Sequence, residues 1–287
     1  MSTAETRELY AQQIKTAANI QSENLVRALA TVPREEFVGA GPWRILARPS
    51  PGQMQPIISD VSDPIELYAD VAVYLDQSKT LTNGNPSTLA PWLDALGLAE
   101  GKSVYHLGCG TGYYTAIMAE VVGSSGRILA AEIDTVLASQ ARANLSCYPN
   151  VQVVEGDGGD LDVGVRDAIL VNAGVTHPTG RWLDSLTIGG TLVLPMTMEF
   201  GMPHVGKGLA LRISRRESAY EAHFLPGPVM IYSCLSVRDP GIAEAFGKQM
   251  MSAGTFNAVR SLRRDTHAQE ASCWLHSTAF CLSTQAC

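Results

Sequence analysis

The spacing of apolar residues changes along the chain, and the change predicts its architecture. Thr6 to Ala18 is polar with Leu, Ile and Ala at helical intervals. Ser22 then caps a run through Ala30 that places Leu25, Val26 and Leu29 on one face. Pro33 ends that run, and Gly39 to Gly52, dense in Gly and Pro, reads as an irregular connection. Residues 1–70 are therefore expected to form an N-terminal helical cap. Leu75 to Pro91 is rich in Thr, Asn, Gly and Ser, and Pro86 is placed to start a helix through Trp92, Leu93 and Leu96, closed off by Gly97 and Gly101.

A regular alternation follows. Strands are predicted at Ser103 to Leu107, Arg127 to Ile133, Val151 to Val154, Asp167 to Val171 and Thr191 to Leu194. Helices are predicted at Tyr113 to Val122, Thr135 to Leu145 and around Trp182 to Leu186, the last leading through Gly189-Gly190 to the strand at Thr191. Short apolar strands interleaved with helices predict an α/β fold, a doubly wound and mostly parallel sheet with helices on both faces. From Gly208 the pattern alternates, over Leu209 to Ile213 and Tyr220 to Phe224, which predicts an antiparallel edge hairpin. Residues 71–235 thus read as the main domain and 236–287 as a C-terminal extension, helical from Ile242 to Met251 and irregular to Cys287.

Composition narrows the function classes. With 46% hydrophobic and 17% charged residues the chain is neither a disordered polymer nor a membrane protein, and a polar N-terminus with no signal pattern predicts a soluble, cytoplasmic protein that binds no membrane. A net charge of −7 argues against a phosphate-backbone surface, so no nucleic acid partner is expected, and Arg212 to Arg216 and Arg260 to Arg264 read as solvated faces. Cys109, Cys147, Cys234, Cys273, Cys281 and Cys287 show no CxxC pairing, so reduced structural thiols and no metal are expected. Nothing in the sequence sets the oligomeric state.

The densest chemistry lies at His106-Leu-Gly108-Cys109-Gly110-Thr-Gly112-Tyr113, between a predicted strand and helix. Glycines there let the backbone approach a ligand at the carboxyl edge of the sheet, although a tight turn without a ligand has the same composition. Tyr113 occupies the place of the third glycine of a dinucleotide fingerprint, which disfavours NAD or FAD. Glu132 ends the apolar run Ile128-Leu-Ala-Ala, a costly place for a carboxylate unless it bonds something such as the two hydroxyls of a ribose. After the next strand, Glu155-Gly156-Asp157-Gly158 forms an acidic loop in which Asp157 can take an exocyclic amine while Gly158 leaves room, or which is an ordinary turn.

In order, Val32-Pro33-Arg34-Glu-Glu-Phe37-Val38, Val104 to Tyr114, Ala131-Glu132-Ile-Asp134, Gly156-Asp157-Gly158, Asp167 to Ala173 and Leu186 to Pro195 resemble the protein-L-isoaspartate O-methyltransferase family over residues 20 to 235. The resemblance implies a Rossmann-like fold with a seven-stranded sheet, and S-adenosyl-L-methionine (SAM) as cofactor, released as S-adenosyl-L-homocysteine (SAH). It implies that Gly108, Cys109, Gly110 and Gly112 line the methionine part of SAM, with His106 beside them, that Glu132 holds the ribose, and that Asp157 and Gly158 hold the adenine. The acceptor would be a carboxylate or another nucleophile of a small molecule or peptide. Two positions depart from the family pattern: His106 stands where an acid is usual, and Gly84 stands where the family has a serine near the acceptor.

A carboxylate acceptor is already ionised, whereas a hydroxyl or ammonium needs a base to take its proton. His177 and Asn172, after the fourth strand of the alternation, are the candidates for that chemistry, and His204 is a weaker one. Thr82, Asn83 and Asn85 form a polar cluster expected to recognise the acceptor. Tyr113, Tyr114, Trp92 and Trp182 line either a pocket or the core. The alternatives are a non-catalytic SAM or SAH sensor and a nucleotide-dependent oxidoreductase.

Overall fold

The computed structural model describes residues 2–47, 55–202, 204–252 and 254–287. Along the chain lie α1 (Thr3–Ala18), α2 (Glu23–Thr31), β1 (Trp43–Ala47), β2 (Ile57–Val61), β3 (Val71–Asp76), β4 (Leu81–Thr82), α3 (Pro86–Ala95), β5 (Ser103–Leu107), α4 (Tyr113–Val122), β6 (Arg127–Glu132), α5 (Thr135–Asn144) and β7 (Val151–Glu155). There follow β8 (Arg166–Val171), α6 (Gly180–Ser185), β9 (Leu186–Glu199), β10 (Val205–Arg215), β11 (Tyr220–Tyr232), α7 (Pro240–Met251), β12 (Ser261–Arg263), β13 (Cys273–His276) and β14 (Cys281–Ser283). None of the described helices is long and apolar enough to cross a membrane. The chain divides into two compact units, one of residues 1–101 and 109–156, the other of residues 102–108 and 157–287.

In the first unit α1 starts earlier than its apolar pattern, because Ser2 and Glu5 form a reciprocal capping box: Ser2 Oγ accepts the Glu5 N–H and Glu5 Oε2 accepts the Ser2 N–H. Ser22 caps α2 as its sequence predicts, its hydroxyl accepting the Leu25 N–H. The supposed connection from Gly39 is corrected by β1, which pairs antiparallel with β2 and β3, while β4 extends β3 into a four-stranded sheet in the order β2-β1-β3-β4. Trp43 and Ile45 of β1 are buried with Val61, Leu67, Val71 and Val73 while Arg44 between them is exposed, an alternation masked in sequence by flanking Gly and Pro. Residues 48–52 of the same stretch lie outside the described residues. The N-terminal region is thus helical and then sheet-forming. In the same unit, β6 and β7 pair in parallel from Ile128↔Val151 to Glu132↔Glu155.

The second unit carries eight strands in the order β13-β14-β12-β11-β10-β9-β8-β5. β5, β8 and β9 are parallel, and β9, β10 and β11 continue as long antiparallel neighbours. The hairpin is far longer than the alternation over Leu209 to Ile213 and Tyr220 to Phe224 predicts, because its ends carry Gly, Pro and Lys that conceal the period of two. The strand expected only from Thr191 starts earlier: Gly189 and Gly190 lie inside β9, where the pairing with β8 shifts register between Arg166 and Ala168. The tail, read as irregular, adds β12, β14 and β13 to the sheet, so this unit alone exceeds the seven strands expected. Its core is apolar throughout the inner strands, with Ile169, Leu170, Val171, Leu192, Val193, Leu194, Leu211 and Ile213 fully buried.

Candidate active site

β5 runs into the glycine turn. Gly108 has φ +75°, and a Cβ there would meet the Asn172 carbonyl oxygen at 2.8 Å, so the position excludes any side chain. Asn172 fastens this turn: its backbone N–H donates to Leu107 O at 2.8 Å and its side-chain Nδ2 to Gly108 O at 3.2 Å. The candidate for chemistry therefore spends part of its amide on scaffold. His106, two residues back on β5, is completely buried, and burial pushes its ring pKa down to about 3, so the imidazole is neutral at physiological pH. Tyr105 next to it donates its hydroxyl to Gly158 O at 2.8 Å, which fixes the acidic loop. In that loop Asp157 Oδ1 accepts the Gly159 N–H at 2.9 Å and the Ser236 hydroxyl at 2.8 Å. Ser236 was not predicted; no local pattern marks it, since it meets Asp157 across 79 residues of chain.

The first unit holds the other half of the turn. The Cys109 N–H donates to Ala131 O at 3.2 Å, and its thiol is buried, with its pKa raised by desolvation and by the nearby Glu132 carboxylate. Gly110 N–H donates to Glu132 Oε2 at 2.8 Å, and the other oxygen, Oε1, accepts the Asp134 N–H at 3.1 Å. Glu132 is only 7% exposed, so the cost of burying its carboxylate is met by these two amides. Each oxygen has a second lone pair to offer. Gly112 has φ +98° and faces Leu145, whose Cδ1 would lie 2.8 Å from an added Cβ. Asp134 caps α5 through the Val136 and Leu137 N–H groups and pairs with Lys79 at 2.7 Å, which lowers the Asp134 pKa and raises that of Lys79.

The predicted acceptor cluster is largely engaged in scaffold bonds. Asn83 Oδ1 accepts the Val73 N–H at 2.8 Å and an Arg34 N–H at 3.3 Å. Asn85 Nδ2 donates to Asp70 O at 3.1 Å, and Thr82 Oγ1 accepts the Gly84 N–H at 3.3 Å. Gly84 has φ +78°, and a Cβ there would meet Leu89 Cδ2 at 2.9 Å, so a serine would strain this backbone and displace the leucine. Ser87, the next hydroxyl after Gly84, donates to Asp70 Oδ2 at 2.6 Å. Sequence reading missed Arg34 as an organiser, although it lies in the Val-Pro-Arg segment that marks the family. Its guanidinium is fully buried and donates to Leu67 O at 2.7 Å, Ala69 O at 3.2 Å and Val71 O at 2.6 Å, with the Tyr113 ring 5.8 Å away.

His177 is half-buried in the second unit. Its Nδ1 lies 2.8 Å from Thr176 Oγ1 and its ring stacks on Phe280 at 6.4 Å between centroids, while burial lowers its pKa. His204 sits in a loop with φ +60°, its carbonyl accepting the Ser233 N–H. Of the four aromatics, Trp92, Tyr113 and Tyr114 are core residues of the first unit and Trp182 of the second; Tyr113 Oη is 3.4 Å from Tyr10 Oη.

A glycine turn between a parallel strand and a helix, with the carboxylate that ends the next strand accepting the turn's Gly110 amide, is the arrangement of the SAM-dependent methyltransferase class. The profile of the protein-L-isoaspartate(D-aspartate) O-methyltransferase family matches residues 5–207, and the chain belongs to this family of SAM-dependent O-methyltransferases. It is 31% identical over 196 residues to protein-L-isoaspartate O-methyltransferase 1 of Archaeoglobus fulgidus, covering 67% of this chain and 80% of that one. A Thermotoga maritima relative of the same name is 29% identical over 203 residues, 69% of this chain, and the match spans about half of that protein, 54%. A solved protein-L-isoaspartate O-methyltransferase superposes with a TM-score of 0.63 at 22% identity, over 85% of this chain and 69% of that one. A Plasmodium falciparum β-aspartate methyltransferase solved with SAH gives 0.60 at 17% identity, over 79% and 97%. These two structures establish the Rossmann-like α/β fold.

Proposed function

We propose that the protein transfers the methyl group of SAM to a carboxylate of a peptide or small molecule, and that it is a poor catalyst on isoaspartyl peptides. Glu132 carries the cofactor half of this reading: a buried carboxylate that already holds Gly110 and Asp134 keeps lone pairs for a ribose diol. Gly108, Cys109, Gly110 and Gly112 would line the methionine part, and Asp157 Oδ2 and Gly158 would receive the adenine, with residues 71–235 as the catalytic domain between the cap and the extension. SAM supplies a methyl already activated by its sulfonium. The chain's own work is then to hold and align the acceptor and to exclude water. No proton need be removed from a carboxylate, which suits a half-buried, neutral His177; His177 and Asn172 would position the acceptor.

Gly84 carries the acceptor half. A glycine offers no hydroxyl where the family pattern has serine, and its left-handed backbone would strain any side chain placed there. Loss of one placed donor costs on the order of 10²-fold in rate. With labelled SAM, an isoaspartyl peptide is therefore expected to turn over about 10²-fold or more below an authentic repair methyltransferase, while other carboxylates in a peptide and metabolite panel take up label. Repair-level turnover, with the aspartyl twin at background, would reassign the acceptor to damaged proteins.

A further inference from the structure

We propose that the C-terminal extension holds a tetrahedral transition-metal site, best suited to zinc, formed by His267, Cys273, His276 and Cys281. One ligand atom from each lies within 4.8 Å of the other three. The site falls beyond residues 5–207, the part of the chain that matches the family profile.

The β13–β14 hairpin builds it. His276 and Cys281 are direct cross-strand partners, so their side chains leave the same face. Cys273 lies three residues before His276 and would point to the opposite face in a regular strand. The register shift between Cys273 and Leu275 turns it back beside them. His267 comes from the preceding loop. Its Nδ1 lies 2.9 Å from the Asp265 carbonyl and 3.3 Å from the Asp265 carboxylate, which can only accept, so in the neutral ring the proton belongs on Nδ1 and Nε2 presents a lone pair. That Nε2 is 3.5 Å from Cys273 Sγ, the edge length of a tetrahedron with metal–nitrogen and metal–sulfur bonds of about 2.0 and 2.3 Å. Imidazole held by a backbone carbonyl is the usual support of a metal ligand. The two rings meet edge to face at 4.8 Å, and His276 Nδ1 is buried with no hydrogen-bond partner.

A disulfide between Cys273 and Cys281, both free thiols, would account for two of these residues and leave the convergence of two imidazoles on them without cause. Two thiolates and two neutral imidazoles instead match a dication in charge, softness and geometry. The spacing H-x5-C-x2-H-x4-C escapes a search for CxxC pairs because the bulge, not the sequence interval, aligns the ligands. Phe280, adjacent to Cys281, stacks on His177, so the metal would also fix the ring against which that histidine rests.

The test uses the full chain, purified reduced and without metal-chelate chromatography. Elemental analysis is expected to find about one zinc per chain, and cobalt(II) added to the reduced apoprotein is expected to give the intense visible and thiolate charge-transfer bands of a tetrahedral site. The C273S/C281S double variant should lose both signals, and a chelator should lower the melting temperature of the wild type and not of the variant. If the variant does not fold, the wild-type zinc content and cobalt spectrum decide. Reduced wild-type protein that takes up neither metal would overturn the proposal. So would uptake unchanged in the double variant, or a Cys273–Cys281 disulfide whose reduced form binds no cobalt.

Discussion

His106 stands where the family resemblance expects an acid, and its burial explains what the substitution does to the chain. The unfolded chain binds a proton at this imidazole near pH 6.5, whereas the folded chain resists it until about pH 3. The folded pKa is depressed, so the contribution to stability is complete above pH 6.5 and is lost as the pH falls toward 3. Between pH 7 and 5 the loss amounts to about 2 kcal/mol. Unfolding free energies of the wild type and His106→Gln, from denaturant titrations at both pH values, should therefore differ in their change by about that amount; parallel changes would contradict it. Glu132 was legible at this scale because a carboxylate ending an apolar strand needs a reason. Arg34 was not, because its partners are backbone carbonyls at Leu67, Ala69 and Val71, more than thirty residues away.

Among the elements, those with an unbroken period were read almost to the residue: β5, α4, the Pro86 start of α3, and α5. Elements that carry a bulge or a glycine were not. β9 contains Gly189 and Gly190, and β13 changes face at its register shift, so neither keeps a period of two long enough to be seen. The short tail strands are anchored by aromatic packing: Trp274 contacts Phe224 at 5.2 Å and Phe246 at 6.1 Å, and its Nε1 donates to Thr255 Oγ1 at 3.1 Å. Phe224 belongs to β11 and Phe246 to α7, so one side chain joins three elements. Trp274→Ala should cost about 3–5 kcal/mol in chemical denaturation. A cost below about 1 kcal/mol would mean that the tail does not fold as part of its unit.

For the whole molecule, two of the three borders of the compact units fall on the sequence motifs. The chain passes between units at Gly101/Lys102, at Gly108/Cys109 in the glycine turn and at Gly156/Asp157 in the acidic loop. The family and its fold were legible because these motifs occur in order along most of the chain. The acceptor was not, because Thr82, Asn83 and Asn85 already bond Gly84, Val73, Arg34 and Asp70, and nothing in their sequence distinguishes such bonds from recognition of a substrate. The central claim is that Glu132 and the glycine turn bind SAM. Isothermal titration calorimetry with SAH tests it most directly. The wild type should bind, and Glu132→Ala, its fold checked by circular dichroism, should bind at least about tenfold more weakly, since two charge-assisted hydrogen bonds are worth roughly 1.5–3 kcal/mol each. No binding heat from wild-type protein with SAH or SAM, or equal affinity in the variant, would contradict the account.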